Sequence, residues 1–124
     1  MKLSDCPCLG RNLDKLVQPA ILALLAEEPL HGYALAERIG SMPVCRGEVP
    51  NPTGIYRFLT SMERRGLVSS EWDSAERGPN RKVYQITVDG RACLEHWIDA
   101  LEQYRRGMDA LIRLAKRSLA DSQM

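Results

Sequence analysis

The chain has 124 residues, 44% of them hydrophobic and 27% charged. This is a globular mixture at the size of a single domain, and it excludes two independent cores, a disordered polar chain and a fibrous repeat. Lys+Arg 17 against Asp+Glu 16 leaves a net charge of +1, so any nucleic-acid binding must come from a local basic patch. With one Phe and two Trp, the core must be built from Leu, Ile, Val, Ala and Met, a choice that leans helical.

Residues 1–11 read as an irregular N-terminal arm, because Cys6-Pro7-Cys8 and Gly10 interrupt any helix. The arm has no apolar run before a small-residue cleavage site and so does not read as a secretory signal. The longest apolar stretch, Val17 to Ala26, is broken by Gln18 and Pro19 and is too short to span a membrane. The expected location is therefore cytoplasmic, with no membrane partner. From Asn12, an N-cap candidate, Leu13, Leu16, Val17, Ala20, Ile21, Leu24 and Leu25 recur at three- and four-residue spacing and predict a helix over about 12–27. Pro19 lies inside that pattern, so a kink or a separate first segment is expected there.

Pro29-Leu30-His31-Gly32 reads as a turn, and Tyr33 to Ile39 as a short helix with Leu35, Ala36 and Ile39 inward, stopping near Gly40. His31, a lone histidine before a short helix, reads as a cap or a packed turn residue. Ser41 to Pro52 contains Pro43, Gly47, Pro50 and Pro52 and reads as a loop. A third helix follows over about 52–65, with Pro52 in its first turn, Ile55, Leu59 and Met62 facing the core, and Gly66 as C-cap. The β-prone runs 67–72 and 82–87 flank a polar stretch, Asp73 to Arg81, and predict two antiparallel strands with a long tip. Thr87 or Asp89 can cap a fourth helix over about 90–119, whose stripe includes Leu94, Trp97, Ile98, Leu101, Tyr104, Met108, Leu111, Ile112, Ala115 and Leu119. At 1.5 Å per residue that helix runs roughly 45 Å, longer than a small helical core can cover, which points to self-association.

The expected fold is thus mostly α with a two-stranded β wing. It is a winged helix-turn-helix over 12–88, preceded by the arm 1–11 and followed by a C-terminal dimerisation helix over 89–124. In such a motif the third helix sets its N-terminal side chains against base edges while surrounding groups fix the phosphate backbone. Asn51, Thr53 and Arg57 lie near the start of that helix, and Gly54 permits close approach. Arg64, Arg65, Arg77, Arg81 and Lys82 are placed for phosphate or minor-groove contact.

Three separated segments carry a family resemblance. Ile21 to Leu25 with Pro29 to Leu35 resembles the first half of the PadR family of transcriptional regulators. Thr53 to Leu59 with Met62 to Val68 resembles that family's recognition helix and its exit, and Gly78 to Thr87 with Gly90 resembles its wing and dimerisation-helix start. The match covers about 17–101. It implies a homodimer that represses transcription on a pseudo-palindromic, double-stranded operator, with effector binding loosening or remodelling the dimer; the expected effector is a small molecule, or a metal or redox change at the cysteines of this chain. It also implies that Tyr33, Tyr56 and Tyr84 help hold the DNA backbone, and that Trp97, on the apolar stripe, is a candidate for an effector pocket between paired terminal helices.

The chain departs from the family in its cysteine-bearing arm and its loop over 41–52. Cys6, Cys8, Cys45 and Cys93 are the right number for tetrahedral zinc or an iron–sulfur cluster, although Cys-x-Cys…Cys…Cys matches no strong motif. The plainer reading makes Cys93 a small packed hydrophobe. No Gly-rich phosphate loop, nucleophile elbow, paired-carboxylate or His-metal motif is present, and His31 and His96 are far apart, so no enzyme is expected. The alternative to a DNA-binding regulator is a metal- or redox-binding protein-interaction module without DNA binding.

Overall fold

The computed structural model describes residues 16–42, 52–73 and 81–122. The expected arm, residues 12–15 of the expected first helix, most of the expected loop (43–51) and the wing tip (74–80) lie outside the described residues. The elements in chain order are α1 (Val17–Glu27), β1 (Leu30–His31), α2 (Gly32–Ser41), α3 (Pro52–Arg64), β2 (Val68–Asp73), β3 (Arg81–Ile86) and α4 (Val88–Ser122). This is the winged helix-turn-helix order followed by a long helix. The chain divides into two units, Met1–Leu94 and Glu95–Met124. Among the described residues no helix is long and apolar enough to cross a membrane.

Among the described residues helix α1 begins at Val17, so Pro19 stands in its first turn, where a missing N–H removes no intrahelical bond. One local expectation is corrected. Leu30 and His31, read as part of a turn, form a short strand instead. They pair antiparallel with β3, Leu30 opposite Tyr84 and His31 opposite Val83, giving a three-stranded sheet of order β1-β3-β2. Two residues are too few to carry a strand signal of their own, and β1 exists because β3 offers it a ladder.

The core of the first unit follows the apolar periods. Ile21, Leu22 and Leu25 of α1, Leu35 and Ile39 of α2, Ile55, Leu59 and Met62 of α3, and Val68 of β2 are buried. Helix α2 packs on α1 and α3, and α1 also lies against β3. Leu22, off the expected stripe, is buried as well. Fully burying each such side chain contributes about 1.5–3 kcal/mol.

The corner between α3 and α4 is built from a few hydrogen bonds. Gly66 adopts φ 76°, a left-handed conformation that favours glycine, and its N–H donates to Glu63 O at 3.0 Å while Leu67 N–H donates to Met62 O at 2.9 Å. This paired closure satisfies the carbonyls that the helix end would otherwise orphan. Thr87 caps α4: its hydroxyl accepts from Gly90 N–H at 3.0 Å and donates to Gly66 O at 2.6 Å. Gly90 is required by space, since a Cβ there would lie 2.1 Å from the Leu67 carbonyl oxygen.

Candidate nucleic-acid interface

Helix α3 turns two chemically distinct faces outward and inward. Ile55, Leu59 and Met62 hold it in the core, and the same 3.6-residue period places Tyr56, Arg57, Thr60, Ser61 and Arg64 together on the exposed side, where they line a shallow groove. Thr60 donates its hydroxyl back to Tyr56 O at 2.9 Å. Arg65, at the helix exit, donates to Gln18 Oε1 at 3.0 Å, which ties it to α1.

Beside that face lies an open cleft of about 690 Å³. Tyr56 and Thr60 of α3 form one side, His31, Gly32 and Tyr33 the end of β1 and start of α2, and Trp72, Arg81, Lys82 and Tyr84 the sheet side. Tyr56 can sit there because residue 32 has no side chain: a Cβ on Gly32 would come within 2.5 Å of Tyr56 Cε1. Tyr33 and Tyr56 are 61% and 42% exposed, whereas Tyr84 is 4% exposed and belongs to the core while bordering the cleft. Burial, followed by the charge of Glu63 and then Tyr56, raises the Tyr84 phenol above its usual value. Glu63 itself accepts a 2.6 Å hydrogen bond from the Ser70 hydroxyl.

On the sheet, Asp73 pairs with Arg81 and Trp72 with Lys82 across the β2–β3 ladder. Lys82 Nζ stands 5.4 Å from the centre of the Trp72 ring, within cation–π range. His31 Nε2 is 3.7 Å from Asp73 Oδ2, an ion pair only when the imidazole is protonated. His31 Nδ1 is buried without a hydrogen-bond partner among the described residues.

Residues 21–96 match the Transcriptional regulator PadR-like family. The chain belongs to this family. PadR-like proteins are transcriptional regulators and not enzymes. Among solved structures, a protein described as a transcriptional regulator of Thermoplasma acidophilum is 34% identical, with a TM-score of 0.71 over 82% of this chain and 95% of that one. A PadR-like regulator of Bacillus cereus is 23% identical at TM-score 0.70, covering 81% of this chain and 94% of its own. Bacillus subtilis PadR, solved with operator DNA, shares the fold at 22% identity and TM-score 0.60, over 67% of this chain and 47% of that one. No curated protein sequence matches the chain.

Within this PadR-like chain the structure brings Tyr33, Tyr56, Arg81, Lys82 and Tyr84 to one cleft and Tyr56, Arg57 and Arg64 to one groove. Gly54 lies in the first turns of α3, and Thr53 is on the same helix. Asn51 and Arg77 lie outside the described residues. Sequence reasoning missed His31, Thr60, Ser61 and Trp72 as members of this surface. The helical period alone could have found Thr60 and Ser61, which share the outward side with Arg57 and Arg64.

The other candidates are dispersed. Trp97 is half-buried on α4. Cys93 is a free, half-buried thiol, and Cys6, Cys8 and Cys45 lie outside the described residues. Among the described residues no group of three or more His, Cys, Asp or Glu side chains could hold a metal ion. In the second unit, residues 102–121 of α4 are all exposed, including Tyr104, Met108, Leu111, Ile112 and Leu119.

Proposed function

We propose that this PadR-like chain is a homodimeric repressor that occupies a pseudo-palindromic operator, with α3 reading base edges in the major groove and the β2–β3 wing holding the backbone. The observation that carries this reading is the outward side of α3. Tyr56, Arg57, Thr60, Ser61 and Arg64 form one hydrogen-bonding, positively charged face beside a cleft whose sheet wall carries Arg81 and Lys82. Arginine in this setting can bond both acceptors of guanine, while the wing cations neutralise phosphate. The exposed apolar stripe of α4 supports pairing of two chains, because a row of Met, Leu and Ile on a long helix favours burial against its own copy. Paired heads would then meet half-sites one helical turn, or a multiple, apart.

The test is selection of duplexes from a random-sequence library by the full chain, followed by affinity measurements across a salt series. Arg57→Ala should cost about 1–3 kcal/mol and relax the preference at one base position. Arg81→Ala should weaken all sequences alike and flatten the salt slope by about one. A protein-interaction module would enrich no sequence and show neither effect.

A further inference from the structure

Charge accounts for Arg81 and Lys82 on the cleft wall, but it does not account for Trp72. Its side chain is 64% exposed, although indole is a large apolar body that folded chains usually cover. Burial along β2 falls from Val68, which is buried, to Glu71, Trp72 and Asp73, which are exposed. The fold therefore gains little from a large ring at the solvent end of the strand. The ring does have one neighbour of consequence. Trp72 and Lys82 are register partners on β2 and β3, the ammonium stands 5.4 Å from the ring centre, and both residues line the cleft together with Tyr33 and Tyr56.

A lysine is a point charge on four rotatable carbons, and fixing it on one phosphate costs side-chain entropy. An aromatic face beneath the ammonium narrows its conformations before any phosphate arrives. We propose that Trp72 is a positioning residue for DNA binding: its indole holds Lys82 in the cleft so that the ammonium meets one backbone phosphate, and the bound duplex covers the exposed ring. This inference rests on the DNA-reading function proposed above.

The test uses the full chain and a duplex of about 30 bp, long enough for two half-sites, enriched by the wild type from a random library. Trp72→Leu should weaken binding about two- to five-fold, the worth of an exposed cation–π pair. Trp72→Phe, which keeps an aromatic face, should recover most of that loss. Lys82→Gln should flatten the salt slope by about one, and adding Trp72→Leu to it should cause no further loss, since the two act as one unit. In a Trp97→Phe background Trp72 is the sole tryptophan of the two, and its emission should shift as duplex saturates the protein. Independent, multiplying losses, a Trp72→Phe variant no better than Trp72→Leu, or unchanged emission at saturation would each overturn the inference while leaving the regulator reading intact. Failure of the wild type to enrich any duplex would overturn that reading and the inference with it.

Discussion

Helices α3 and α4 are both amphipathic, yet their apolar stripes meet different fates. Ile55, Leu59 and Met62 of α3 are each 0% exposed, while Met108, Leu111 and Leu119 of α4 are 56%, 63% and 66% exposed. An α3 stripe covered by its own chain leaves the polar face of that helix as the surface with work to do. In α4 the apolar residues lie as open as the polar ones. On the function proposed above, the same periodicity serves a reading helix in one place and a pairing helix in the other, and burial distinguishes them.

The contrast can be broken most severely on α3. Leu59→Ala opens a hole in a covered core and should cost about 2–5 kcal/mol in urea unfolding, whereas the same change at exposed Leu111 should cost under about 0.5 kcal/mol in the isolated chain. Next in size, Met108→Glu with Leu111→Glu should shift the protein from dimer to monomer in sedimentation. Operator affinity should then fall about a hundred-fold as the two heads lose their link. A dimer unchanged by these charges would end the pairing role of α4.

Smaller effects sharpen the account of the cleft. Gly32→Ala forces its new Cβ onto the Tyr56 ring and should reduce DNA affinity roughly two- to ten-fold, the worth of one hydrogen bond, with little change in melting temperature. Smallest is a pH effect. The Tyr84 phenol is raised above the ordinary 10.0, first by burial and then by Glu63 and Tyr56, so the unfolded chain loses this proton before the folded one does. Its stabilising contribution is complete below about pH 10 and is lost as pH rises from there through the folded value. Tyr84→Phe should flatten that alkaline decline in a pH series of unfolding curves; an unchanged decline would assign it to other groups.

Much of this was legible in the residues. The helical period placed Leu35, Ala36 and Ile39 of α2 and Ile55, Leu59 and Met62 of α3 inward, and turn chemistry placed the stop at Gly66 and offered Thr87 or Asp89 as the cap, of which the structure uses Thr87. What escaped was long-range. A strand of two residues at Leu30 and His31 is created by its partner β3. Trp72 escaped for the same reason. Its significance lies in register with Lys82 across the wing, a relation between positions 72 and 82 that no local period expresses.

The corner at Gly66, Thr87 and Gly90 has a consequence for how such a gene can change. Thr87 serves two helices with a single hydroxyl, and Gly90 rests against the carbonyl of Leu67, so substitutions there disturb the frame. Positions 57, 60, 61 and 64 face solvent, and on the proposed DNA-reading role substitutions there disturb mainly what is touched. On that role, two copies left by a duplication drift to different targets through a handful of codons on one helix, each still inheriting the same frame.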